Sequence, residues 1–188
     1  MRYYAFADYS NTTGLFKNTK QENYDSQLRM SKANLRANMD YDITETTKMS
    51  VNIAGIFIET NRPNDIGGDD AVWRMYATPA TAIPLVTSNG FWGGNETYGD
   101  ASFVAKIQDT GYMKSNQRQL WANAKLTQNL DFWVKGLKAE IGAGYDNMAL
   151  DYEQHYRAHQ YGYDYIDANG KQQVAVYGNK QEQLKFNH

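Results

Sequence analysis

Two histidines come closest to a metal-binding pattern in this 188-residue chain. His155 and His159 are four residues apart, the spacing that places two zinc ligands on one side of a helix. The surrounding sequence, EQHYRAHQYGYDY, predicts strand and loop instead of helix, and it lacks the HExxH pattern of zinc proteases. We therefore expect no metal site and no other cofactor.

Acidic side chains offer no better catalytic pattern. Asp69 and Asp70 are adjacent and Glu140 stands alone, so the chain lacks the spaced carboxylate pair of a glycosidase. The two aspartates are better suited to cap a short helix over DDAVWRMYA. The run NDIGGDD lacks the oxygen spacing and final glutamate of a calcium loop. Without cysteine there is no thiol nucleophile either, and we expect this protein not to be an enzyme.

Aromatic residues are the best candidates for binding. The segment 59–111 contains all three prolines, two glycine pairs and several aromatic side chains. Loops concentrate binding residues, and exposed rings stack on sugars or contact partner proteins. The candidate contact residues are Trp73, Trp92 and Tyr98. The alternative is that these rings pack the loop against itself.

The elements that position such a loop are long strands with strict alternation. In residues 33–43 one face carries Ala33, Leu35, Ala37, Met39, Tyr41 and Ile43, and the other carries Asn34, Arg36, Asn38, Asp40 and Asp42. Alternate side chains of a strand point to opposite faces. Strands of soluble domains have about 5–6 residues, whereas a strand tilted across a bilayer needs about 9–11. This length and pattern favour the wall of a transmembrane β-barrel, with the apolar face toward lipid.

The same alternation recurs along the chain. Strands are predicted at about 2–10, 27–43, 49–58, 112–128 and 138–157, followed by a hairpin of 161–166 and 172–177 whose turn contains Asn169-Gly170. The turns TETTK and TQNLDFW are short, whereas 59–111 is long. Short periplasmic turns and long extracellular loops alternate in outer-membrane barrels. We predict an all-β fold: part of an antiparallel transmembrane β-barrel, about six to eight strands, with one long extracellular loop.

Composition is consistent with this fold. The mean hydropathy is −0.73, and no apolar run approaches the 18 residues of a spanning helix. The net charge of −2 argues against nucleic-acid binding. The first residues, MRYYAFADYS, already alternate and contain no signal peptide, and the last, QLKFNH, also alternate. We therefore expect both ends to be internal to a longer protein.

An ordered set of segments carries a family resemblance. The succession YYAFADYSNTTGLFKN, LRANMDYDITETTKMSVNIAG, NRPN, VAKIQDTGY, NQRQLWANAKLTQNL and KGLKAEIGAGYDN resembles the SusC/RagA-type TonB-dependent transporters of Bacteroidetes over nearly all 188 residues. Each segment alone is only a strand and turn pattern, and the specificity lies in their order. One departure is Thr13-Gly14, where an acidic residue before the glycine is common.

The resemblance implies a location and a set of partners. It implies that residues 1–188 form part of the barrel of an outer-membrane TonB-dependent importer of oligosaccharides or similar large nutrients. The plug domain and signal peptide of such an importer are absent from this chain. The implied partners are a SusD-like surface lipoprotein, TonB, the glycan and outer-membrane lipid. Two alternatives stay open: a complete small barrel with a structural or adhesion role, and a soluble β-sandwich binding module.

Overall fold

The structure, a computed structural model, describes residues 1–64, 66, 73, 75–181 and 183–187. Its elements are β1 (Arg2–Thr13), β2 (Arg29–Asp42), β3 (Thr47–Pro63), β4 (Trp92–Gly93), α1 (Phe103–Gln108), β5 (Gly111–Asn129), β6 (Lys138–Tyr156), β7 (Tyr161–Ile166), β8 (Gln172–Tyr177) and β9 (Lys185–Asn187). Strands make up 58% and helices 6% of the described residues, and the sheet is mostly antiparallel. The predicted all-β class is confirmed.

The strands form two sheets. Six strands follow the order β1-β2-β3-β5-β6-β9, and three follow the order β4-β7-β8. The predicted hairpin has the boundaries of β7 and β8, but it belongs to the smaller sheet. The segment 59–111 is less irregular than expected, because β3 extends to Pro63 and α1 begins at Phe103. The predicted helix cap at Asp69 and Asp70 lies outside the described residues, although Trp73 and residues 75–77 are helical.

The chain divides into two compact units. We call Met1–Thr12, Met30–Thr60 and Ser115–Asp151 the sheet unit, and Thr13–Arg29, Asn61–Lys114 and Tyr152–His188 the loop unit. The sheet unit contains most residues of β1, β2, β3, β5 and β6, and the loop unit contains β4, α1, β7, β8 and β9.

Polar side chains follow one face of the sheet unit and bond to each other across the strands. On β2, Asn34 donates to Asp8 at 3.0 Å, and Asp40 accepts from Ser50 at 2.7 Å. The same pattern continues between β5 and β6, where Glu140 accepts from Lys125 at 3.5 Å. Asn34 and Asp40 belong to the predicted polar face of residues 33–43. The structure therefore separates the alternate residues of β2 as their types predict.

The opposite face of the sheet unit is apolar and uncovered. Every residue of this unit is described, and Gly55 alone is buried. The exposed apolar side chains of this face include Tyr3, Leu35, Met39, Tyr41, Ile53, Phe57, Ile141 and Tyr145, which are 40–81% exposed. A single sheet layer must bury its apolar face against something to be stable. This unit therefore requires an apolar partner or an apolar solvent.

Two short connections close the strand pairs at one end of the sheet unit. The Ile43 amide donates to the Thr47 carbonyl at 2.9 Å, and the Leu130 amide donates to the Leu137 carbonyl at 2.9 Å. The two connections also touch, because the Asn129 amide donates to the Thr46 carbonyl at 2.8 Å. Backbone groups at this end are thus paired within the unit.

The loop unit contains a small core. Ile66 and Ile107 are buried together, with Phe16 and Phe103 packed against them. The buried Ser26 hydroxyl donates to the Ile107 carbonyl at 2.5 Å. This bond links the loop between β1 and β2 to α1. None of the helices among the described residues has the length and apolar composition to span a membrane.

Candidate functional site

The three predicted contact residues lie apart in the loop unit. Trp73 is 71% exposed and Tyr98 is 38% exposed, whereas Trp92 lies in β4 and is half-buried. Among the described residues no ring contact joins any two of them. Each of the three residues therefore has its own surroundings, and their role as contact residues stays a prediction.

Trp92 is held by an ion pair that the sequence did not indicate. Its indole Nε1 donates to the Asp109 Oδ2 at 2.9 Å. Asp109 also pairs with Arg157, whose Nε donates to the Asp109 carbonyl at 3.0 Å. Both charged side chains are about three-quarters buried. The indole ring is therefore fixed in orientation before any ligand arrives.

Tyr24 extends this cluster. The Arg157 guanidinium lies 5.9 Å from the centre of the Tyr24 ring, within range of a cation–π interaction. The Tyr24 hydroxyl donates to the Gln108 carbonyl at 2.8 Å, and burial raises the pKa of this phenol. The cluster thus contains residues from four separate parts of the sequence: Tyr24, Trp92, Asp109 and Arg157.

A cavity of about 270 Å³ opens beside Trp92. Its lining residues are Asn89, Gly90, Phe91, Trp92, Asp109, Arg157, Ala158, His159, Gln160, Lys180 and Gln181. Amide, indole and charged groups surround a small space, a combination that orients a polar ligand. We call this space the Trp92 cavity.

Four tyrosines occupy one face of the β7–β8 hairpin. Tyr161 pairs with Tyr177, and Tyr163 and Tyr165 follow at alternate positions of β7. The Tyr177 ring centre lies 5.8 Å from Tyr161 and 6.2 Å from Tyr163, with the planes within 22° of parallel. We call this set the tyrosine face. The alternating tyrosines in YGYDY were a visible signal in the sequence, but their shared face depends on the pairing with β8.

A groove of about 580 Å³ adjoins the tyrosine face. Its lining residues are Ala82, Pro84, Asn95, Glu96, Thr97, Tyr163 and Asp164. The Asn95 side chain accepts from the amides of Thr97 and Tyr98, at 3.1 and 2.8 Å, and so fixes the turn that carries Tyr98. Tyr98 therefore lies in a turn that borders this groove.

The sheet unit has an aromatic hollow on its polar face. It has a volume of about 710 Å³ and is lined by Tyr4, Phe6, Asn34, Leu35, Arg36, Ala54, Gly55, Ile56 and Trp121. The predicted polar face is therefore interrupted by an apolar patch, where Ala54 and Ile56 break the alternation of β3.

The histidines have ordinary structural contacts. His155 Nε2 lies 2.6 Å from Glu153 Oε1, and its ring stacks on Tyr112 at 4.7 Å. His159 is buried in the wall of the Trp92 cavity. Within the part of the chain that the structure describes, no group of three or more metal-ligating side chains could hold an ion.

No family model, curated protein or solved structure matches this chain.

Proposed function

We propose that this chain is part of the barrel wall and the extracellular loops of an outer-membrane TonB-dependent importer of oligosaccharides or similar large nutrients. The observation that carries the proposal is the uncovered apolar face of the sheet unit. In this proposal lipid covers that face, and the bonded polar face lines the lumen.

The size of the apolar face supports lipid as its partner. Residues 33–43 extend over about 33 Å at about 3.3 Å per residue. A strand tilt of about 40° reduces the height to about 25 Å, which is the height of the apolar band of outer-membrane barrels. Tyr41 lies near one end of this band, as interfacial rings do.

Polar side chains mark one end of the apolar band of the sheet unit. The Tyr9 hydroxyl donates to the Ser31 hydroxyl at 3.5 Å, and Arg118 pairs with Asp151 at 2.9 Å on the same face. Such pairs suit a headgroup region better than hydrocarbon. At the other end, Phe132 and Trp133 are 79% and 77% exposed in the turn after β5, where they fit an interfacial girdle.

Strand length argues against the soluble sandwich. The strands β2, β3, β5 and β6 have 14, 17, 19 and 19 residues. Strands of globular domains have about 5–6 residues. A sandwich would also need a second sheet of equal length over the apolar face, and the β4-β7-β8 sheet has strands of at most six residues.

The importer role rests on the resemblance, and the loop unit supplies its binding groups. In the proposed mechanism the nutrient binds at the extracellular loops below a SusD-like lipoprotein lid. TonB then acts on the plug domain to open the lumen. The chain described here contributes the wall, the exposed Trp73, the oriented Trp92 and the turn of Tyr98.

Trp73→Ala is expected to weaken nutrient uptake or lid association about two- to tenfold in the full-length protein, because an aromatic contact contributes about 0.5–1.5 kcal/mol. Uptake of labelled oligosaccharide and co-purification of the lipoprotein measure the two effects. Trp92→Ala should have a similar effect, but it also removes the bond to Asp109, so Trp73→Ala is the cleaner test.

Trp133→Ala is the matched control, because this tryptophan is similarly exposed and belongs to the sheet unit, in the turn between β5 and β6. It should leave uptake per assembled barrel unchanged. Unchanged uptake and unchanged lid association for Trp73→Ala would contradict the proposed contact.

A further inference from the structure

The tyrosine face offers a binding surface of defined chemistry. Tyr165 is 44% exposed, and Tyr161, Tyr163 and Tyr177 are half-buried, so each presents part of its ring at the surface. The neighbouring groove adds two carboxylates, an amide and a hydroxyl to this surface. Flat apolar rings next to hydrogen-bond acceptors form an amphipathic surface.

We propose that the tyrosine face and its groove bind a neutral oligosaccharide. This inference deepens the proposed function and rests on it for the place of the site in nutrient uptake. Neither Trp73 nor the Trp92 cavity is part of the site.

The chemistry of the surface selects this ligand class. A pyranose has an apolar C–H face, which packs on a tyrosine ring, and an equatorial set of hydroxyls, which donate to carboxylates and amides. Glu96 and Asp164 supply the acceptors in the groove, and its lining residues, as far as the structure describes them, include neither lysine nor arginine. An anionic sugar would meet like charges there, so a neutral chain is favoured.

Hydrogen bonds hold the site in place before binding. The Asp164 carboxylate accepts from the Ser88 amide at 3.1 Å and from the Gln172 side chain at 3.2 Å. The bonds from Ser88 hold the pKa of Asp164 below its usual value, so this acceptor stays ionised. A preformed site loses less conformational entropy when the ligand binds.

The tyrosines are held in the same way. The Tyr177 hydroxyl donates to Glu96 at 3.1 Å. A hydrogen bond with Tyr163 and the contact with Glu96 raise the pKa of Tyr177 to about 12, so the phenol keeps its proton. Gly94 allows the Tyr161 ring to pack closely against the backbone, because a Cβ at residue 94 would lie 2.4 Å from this ring. Only glycine allows this close approach.

Calorimetric titration of the full chain in detergent tests the site. The probes are maltohexaose, xylohexaose, cellohexaose and mannohexaose, with hexagalacturonate as the anionic comparison and hexalysine as the cationic one. We expect at least one neutral hexasaccharide to bind and the galacturonate not to bind. Tyr163→Ala and Tyr165→Ala should each raise the Kd of the bound sugar about two- to tenfold.

Two controls make the result decisive. Tyr76→Ala removes a tyrosine that is 81% exposed in the loop unit and outside the site, and it should leave the Kd unchanged. Tyr163→Phe keeps the ring and should retain most of the affinity, which separates stacking from misfolding. Circular dichroism of each variant verifies the fold.

The proposal is overturned if the folded chain binds none of the neutral hexasaccharides, if hexalysine alone binds, or if both tyrosine variants bind as the unaltered chain does. Insertion of the full-length protein into lipid vesicles is measured in parallel, because a partial sheet with unpaired edges does not insert alone. Sugar binding without insertion would retain the site and contradict the importer, and insertion without sugar binding would support the importer and contradict the site.

Discussion

Met39→Arg is expected to make folding into a lipid bilayer less favourable by about 2–4 kcal/mol, because it places a charge near the middle of the apolar face. Met39 is 40% exposed on β2 and lies near the centre of the band 33–43. The measurement is equilibrium folding of the protein into lipid vesicles. In cells the same change should reduce the amount of assembled protein in the outer membrane.

Asn38→Arg is the matched control, since it adds the same side chain to the next residue of the same strand. Asn38 belongs to the polar face, where Asn34 and Asp40 are bonded across the strands. This variant should fold into vesicles nearly as well as the unaltered protein. If Met39→Arg and Asn38→Arg destabilised the folded protein equally in vesicles, the assignment of the two faces would be wrong.

Arg157→Ala is expected to destabilise the loop unit by about 2–3 kcal/mol, because it leaves the largely buried Asp109 without its charged partner. It also removes the bond to the Asp109 carbonyl and the contact with the Tyr24 ring. Amide hydrogen exchange in α1 measures the effect. A loss of 2 kcal/mol corresponds to exchange that is about 30-fold faster.

Arg29→Ala tests whether any lost ion pair has this effect. Arg29 lies in the same unit and pairs with Asp25 at 2.8 Å, but its side chain is 50% exposed, and Asp25 keeps the hydrogen bond from the Gln27 amide at 3.0 Å. Exposed pairs contribute about 0–1 kcal/mol, so exchange in α1 should change little. Comparable acceleration in both variants would show that the cluster at Asp109 has no special role.

The strands were the most predictable part of this molecule. Alternation within 33–43 and the Asn169-Gly170 turn are local signals, and they placed β2 and the β7–β8 hairpin close to their observed boundaries. The end of β3 was not predicted, because residues 59–63, ETNRP, are polar and include a proline, a composition typical of loops. The helix α1 was missed because six residues are too few for a helical pattern, and its stability comes from Ile107 packing on Ile66.

The binding surfaces were less predictable for a physical reason. Trp92, Asp109 and Arg157 are distant in sequence and meet only through tertiary contacts. The sequence shows that the segment 59–111 contains several aromatic residues, but it could not tell the exposed Trp73 from the anchored Trp92. The tyrosine face required the register between β7 and β8, since alternate residues of one strand do not identify their neighbours on the next.

The most direct test of the barrel wall is cysteine scanning through residues 33–43 of the membrane-reconstituted protein. The chain contains no cysteine, so single substitutions need no altered background. Each position is labelled with a nitroxide, and its collisions with oxygen in lipid and with a water-soluble nickel complex are measured. Our account predicts a period of two, with odd positions exposed to lipid and even positions exposed to water. Water exposure at both odd and even positions, or the reverse phase, would contradict it.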